Sequence, residues 1–79
     1  QAVQMADEAI RLNPAMTKAY YHRGLSYQAL KMHKKAIEDL RRVVKAVPGD
    51  EEARKHLQEA ERDQMRVNFA SAIRVNTFD

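Results

Sequence analysis

An all-α fold is what this sequence predicts, on three observations. Apolar residues recur at three- and four-residue steps along most of the chain, which is the helical period. Asn13-Pro14 and Val47-Pro48-Gly49-Asp50 punctuate that pattern at wide intervals. Two Gly, two Pro, no Cys, no Trp and 6% aromatic residues argue against collagenous, low-complexity or all-β chains. With 79 residues, 44% of them hydrophobic, the chain is one small unit. A core of that size supplies only about 3–5 kcal/mol, and no disulfide is available to add to it. Its helices are well idealised, or it is a piece of something larger.

Four helical patterns follow in order. In the first, Ala2, Met5, Ala6, Ala9 and Ile10 share a stripe with Leu12 at its end, and Asn13-Pro14 stops it, because the residue before proline is pushed out of helical conformation. The second, about 17–30, carries Tyr20, Gly24, Tyr27 and Leu30 on one side. The third, about 33–47, lines one face with Ala36, Ile37, Leu40, Val43, Val44 and Val47, and Pro48-Gly49 ends it. Asp50 is a good N-cap for a fourth, with Glu51 and Glu52 at the positive end of its dipole. That helix is expected to reach about Ile73, roughly 36 Å at 1.5 Å per residue, so its distal half overhangs the others. Asn76 to Asp79 read as a frayed end.

The formal net charge of +3 names no partner. No apolar run approaches the ~20 residues of a membrane span, and Gln1-Ala2-Val3 does not begin a signal peptide. A soluble protein of the cytoplasm, with the nucleus as a further location, is the expectation. His22, His33 and His56 lack metal-ligand spacing and cysteine partners. Ser26 has no nearby base, no Gly-rich phosphate loop is present, and Glu51-Glu52 belong to a helix start. No catalysis, metal or cofactor is expected of this chain.

Thr17 to Asp50 make a unit of 34 residues with Tyr20 at its fourth position, Gly24 at the eighth, Tyr27 at the eleventh, Ala36 at the twentieth, Leu40 at the twenty-fourth, Val43 at the twenty-seventh and Pro48 at the thirty-second. This pattern resembles the tetratricopeptide repeat (TPR). Gly24 and Ala36 let the two helices of the unit approach closely, while Tyr20, Tyr27 and Leu40 fill the space beside them. The same frame shifted upstream places Ala2, Ala6, Ala9 and Pro14 on matching positions, so residues 1–14 read as the second helix of a preceding repeat. Residues 15–49 are then one complete repeat. Downstream, Arg54 and Gln58 replace the aromatic and the glycine and only Leu57 remains, which suggests that residues 50–79 are a capping and extension helix with a frayed tail. The whole is expected to be the C-terminal part of a longer α-solenoid, with an apolar face open at Ala2, Met5 and Ala9.

The stretch from Ile10 to Pro48, followed by a helix carrying Phe69 to Ile73, is similar to the last repeat and final helix of co-chaperone-type TPR domains, those of protein phosphatase 5-like enzymes among them. That resemblance implies a protein–protein interaction module binding the acidic C-terminal tail of cytosolic heat-shock chaperones. In such domains a Lys and an Arg four residues apart grip the tail's carboxylates. Lys18 stands at the Lys position and His22 where Arg is usual; four apart on a helix, they share a face. A histidine offers fewer donors than the arginine fork, so the clamp is expected to be weaker or pH-sensitive. Tyr21, Leu25 and Gln28 line the same groove by family position, and the alternative is that Lys18 and His22 are plain solvated residues.

Four features read as structural. Arg23 is expected to pack its stem on a neighbouring helix and send its head to water. Tyr20 and Tyr27 have the spacing of core aromatics. The basic run Lys31, Lys34, Lys35, Arg41, Arg42 and Lys45, interleaved with Glu38 and Asp39, reads as a solvated convex face, with no nucleic acid or membrane as partner. Met65, Phe69 and Ile73 recur at four-residue steps beyond the repeat. They fold back, pair with another copy as a homo-oligomer through exposed ends, or dock on a further domain such as a Ser/Thr phosphatase catalytic domain, an autoregulatory alternative to peptide binding.

Overall fold

The computed structural model describes residues 2–76, with side chains over 2–71. Four helices follow one another: α1 (Ala2–Leu12), α2 (Thr17–Ala29), α3 (His33–Ala46) and α4 (Glu51–Asn76). Successive helices pack in antiparallel fashion, α2 on α1, α3 on α2 and α4 on α3, giving a slab of 51 × 27 × 16 Å. Local chemistry sets each boundary. The Asn13 side chain accepts from the Ala15 amide at 3.1 Å to form the turn after α1. Asp50 caps α4 by accepting from the Ala53 amide at 3.1 Å. The end of α2 is less ordinary. Lys31 has φ of 63°, the left-handed conformation that favours glycine, with Met32 N–H donating to the Tyr27 carbonyl at 2.9 Å and Lys31 N–H to that of Gln28 at 3.1 Å.

The core is built chiefly from small residues. Ala36, Leu40, Ala53 and Ala60 are fully buried, with Val43, Ala19, Tyr20 and Ala6 nearly so. A β-carbon at Gly24 would lie 3.0 Å from Leu40 Cγ, 3.1 Å from its Cδ2 and 3.3 Å from Asp39 Cβ, so the α2–α3 crossing depends on the absence of a side chain there. Tyr20 packs with Val43 and Ala53, and its hydroxyl donates to the Pro14 carbonyl at 3.0 Å, tying α2 to the turn behind it. Tyr21 touches both this cluster and the one formed by Ala36, Leu40 and Ala60. Leu12, Leu30 and Val47, the last apolar residues of three stripes, sit at helix ends and stay in solvent.

Two expectations change. The Arg23 head is only partly open to water and is engaged by two carboxylates. Its guanidinium forms a two-bond fork with Asp39, Nε and Nη2 each 2.8 Å from a carboxylate oxygen, and Nη1 reaches Asp7 at 2.9 Å. Asp39, read as part of a solvated face, is accordingly buried. One arginine on α2 thus clasps both α1 and α3. Bonding to Asp39 first, and to Asp7 further, holds the guanidinium protonated against the opposing cost of burial. The six other basic residues of the α2–α3 turn and α3 are exposed. α4 runs three residues beyond Ile73, and its distal part overhangs α3.

Candidate functional site

An apolar concavity is built where one stripe of α2 faces α1. Lys18, His22, Leu25 and Ala29 follow one another at helical spacing, with Ala19 and Ser26 beside them. Against this stripe α1 presents Ala2, Met5, Ala6 and Ala9, and Met16 closes one end. Because five of the eleven lining residues are Ala, the two helices leave an open trough of about 560 Å³ between their flanks. Its floor is apolar, and no carboxylate lines it. Lys18 and His22 are exposed on one wall, and among the described residues Lys18 makes no ion pair. An apolar trough with cations on one side suits a ligand carrying both an acidic group and an apolar side chain.

The five residues expected to bind peptide divide. Lys18, His22 and Leu25 line the trough together. Tyr21, next to His22 at a ring separation of 5.9 Å, turns instead toward α4, where its ring meets that of His56 edge-on at 6.3 Å. Burial, then the negative charges of Glu52 and Asp50, push its phenol above the ordinary value. Gln28 lies half-buried outside the trough lining. Ser26 donates its hydroxyl to the His22 carbonyl at 3.0 Å, which commits the proton that a nucleophile would need to lose. Among the described residues no group of three His, Asp or Glu converges to hold a metal ion.

On the last helix, Met65 and Phe69 are 70% and 65% exposed, so the chain itself leaves this stripe open. The Ile73 side chain lies outside the described residues. The Arg23 clasp was the feature least accessible to sequence reasoning: Asp39 lies sixteen residues on and Asp7 sixteen back, and no local pattern marks either as its partner. An arginine at an otherwise core-facing helical position was the available signal.

Comparison with known proteins places this geometry in context. The tetratricopeptide repeat matches residues 17–50. The chain is 33% identical over 72 residues to serine/threonine-protein phosphatase T of Trypanosoma brucei brucei, covering 91% of the chain and 15% of that protein. It is 36% identical over 74 residues to serine/threonine-protein phosphatase T of Aspergillus oryzae, covering 94% and 16%. With sperm-associated antigen 1 of Homo sapiens it shares 36% identity over 62 residues, 78% of the chain and 7% of that protein. It therefore spans only a small part of the relatives it matches. No solved structure matches it.

Proposed function

We propose, on the premise that this chain belongs to the tetratricopeptide repeat family through residues 17–50, that its trough takes an acidic peptide tail of the cytosolic heat-shock chaperone type. The family makes the chain a protein–protein interaction module, a helical segment without catalytic work of its own. The observation that carries the finer reading is the pairing of Lys18 and His22, exposed one turn apart above an apolar floor free of carboxylates. Lys18 supplies a full charge to a peptide carboxylate, His22 adds a hydrogen bond, and Leu25 with the alanines of α1 receives an apolar side chain. We place such an interaction in the cytoplasm.

Fluorescence anisotropy of a labelled peptide ending in Glu-Glu-Val-Asp tests it. Binding that falls about tenfold in Lys18→Ala and is unchanged in Phe69→Ala supports the trough. Binding indifferent to Lys18 removes it.

A second reading rests on the open stripe of Met65 and Phe69. Two of the relatives are serine/threonine-protein phosphatases by name, and in a parent of that kind α4 would dock on the neighbouring catalytic domain. Phe69→Ala would then release phosphatase activity, whereas Lys18→Ala would not.

A further inference from the structure

A second docking surface lies at the α2–α3 turn, about 18 Å of helix away from Lys18 at 1.5 Å per residue. There Lys31, Met32, His33, Lys34 and Lys35 meet Gln64 and Val67 of α4 around a notch of about 500 Å³. Met32 and Val67 are 38% and 48% exposed and supply its apolar centre. The three lysines are exposed. Among the described residues, every ion pair of this protein uses an arginine: Arg11 with Glu8, Arg23 with Asp7 and Asp39, Arg41 with Glu61, Arg66 with Asp63. On α4 Glu61 and Asp63 are engaged by arginines, and although Glu38 follows one turn on along α3, none of the three lysines is ion-paired. No acidic residue lies in the first turn of α3.

Unpaired like charges held within five residues of one another repel, and an anionic partner relieves that repulsion. The apolar centre narrows the partner further. Nucleic-acid surfaces combine cations with exposed aromatic faces or arginine forks, yet the notch lining holds no arginine, its His33 is half-buried, and the half-buried Tyr27 ring lies 5.6 Å under the Lys35 ammonium. A membrane surface calls for a protruding apolar face, whereas Met32 and Val67 line a recess. We propose that this notch binds an acidic segment of a partner protein, one apolar side chain entering between Met32 and Val67 while flanking carboxylates pair with Lys31, Lys34 and Lys35. The surface is separate from the trough, and either stands without the other.

The probe is a fluorescein-labelled peptide of glutamates around one central leucine, titrated into the whole chain. Two variants report on the notch: Lys34→Glu, and Lys31→Gly, which removes charge while relaxing a left-handed backbone and so does not threaten folding. Lys18→Ala reports on the trough. The proposal expects about a tenfold loss in Lys34→Glu, a smaller loss in Lys31→Gly, a loss when the peptide's leucine becomes serine, and Lys34-dependent binding that persists in the Lys18→Ala background, where the trough no longer competes for the probe. Amide shifts at residues 31–35, 64 and 67 should mark the bound state. It is overturned by absence of binding, by binding that depends on Lys18 and not Lys34, by equal affinity for the leucine-free peptide, or by tighter Lys34-dependent binding of an oligonucleotide or of phosphatidylserine vesicles.

Discussion

The two halves of α4 obey the same helical period and meet opposite fates. Its first half buries Ala53 and Ala60 completely, while the second leaves Met65, Val67 and Phe69 between 48% and 70% exposed, although these three are far more apolar. Burial here follows what stands opposite. Residues 53–60 face α3 and the tyrosines of α2, where small side chains permit close helix contact. Residues 65–68 meet only the start of α3 and the turn before it, across open notches rather than a packed face. An amphipathic stripe is thus a statement about a helix, and a core is a statement about its neighbours.

The strongest way to break the contrast is to attack the packed region at its one buried charge. Arg23→Ala leaves Asp39 enclosed without a partner, and loss of a buried ion pair in this way costs about 3–5 kcal/mol. Thermal unfolding followed by circular dichroism should show a large drop in midpoint. Replacing both partners, Arg23→Met with Asp39→Leu, removes the stranded charge and should recover most of the loss. If the single substitution is harmless, the clasp does not organise the packing of α1 and α3 on α2.

Gly24→Ala sharpens the same point by one methyl group. Alanine favours the helix by about 1 kcal/mol, which opposes the effect. The added carbon would meet fully buried Leu40 at 3.0 Å and the Asp39 Cβ at 3.3 Å, and the Arg23 fork holds that aspartate in place. Overpacking therefore wins, with a net loss of about 1 kcal/mol by urea denaturation. A gain in stability would mean that the crossing has slack. The turn after α2 should respond in the other direction. Lys31 occupies the left-handed position of a helix C-terminal motif, and Lys31→Gly should raise stability by about 0.5–1 kcal/mol in the same assay.

What the sequence discloses divides along the same line. Helix periods, the Asn13-Pro14 and Pro48-Gly49 stops and the Asp50 cap are local, and each is visible in a few adjacent residues. The close approach at Gly24 was legible because repeat spacing supplies its long-range partner. The Arg23–Asp39–Asp7 clasp was not, since it joins three helices through charges that local pattern places at the surface. In the candidate site, helical spacing puts Lys18, His22 and Leu25 on one wall, but the direction of Tyr21 depends on α4 and His56, which lie more than thirty residues later. The lysine notch depends on a similar meeting of distant segments, with Val67 completing a surface begun at Lys31.

The smallest expected effect is the most direct test of the comparison. Phe69 carries a large apolar surface, and a fully packed phenylalanine truncated to a small residue costs about 3–5 kcal/mol. At 65% exposure it has few partners to lose, so Phe69→Ser should change the unfolding free energy by less than about 0.5 kcal/mol. Leu57→Ala, made twelve residues earlier on the same helix where the side chain packs with Ala36, Leu40 and Ala60, should cost several times more. Equal losses would show that the distal half of α4 is packed after all, against a second copy at the concentration used. Dilution would then separate the two cases, because only the intermolecular contact weakens with concentration.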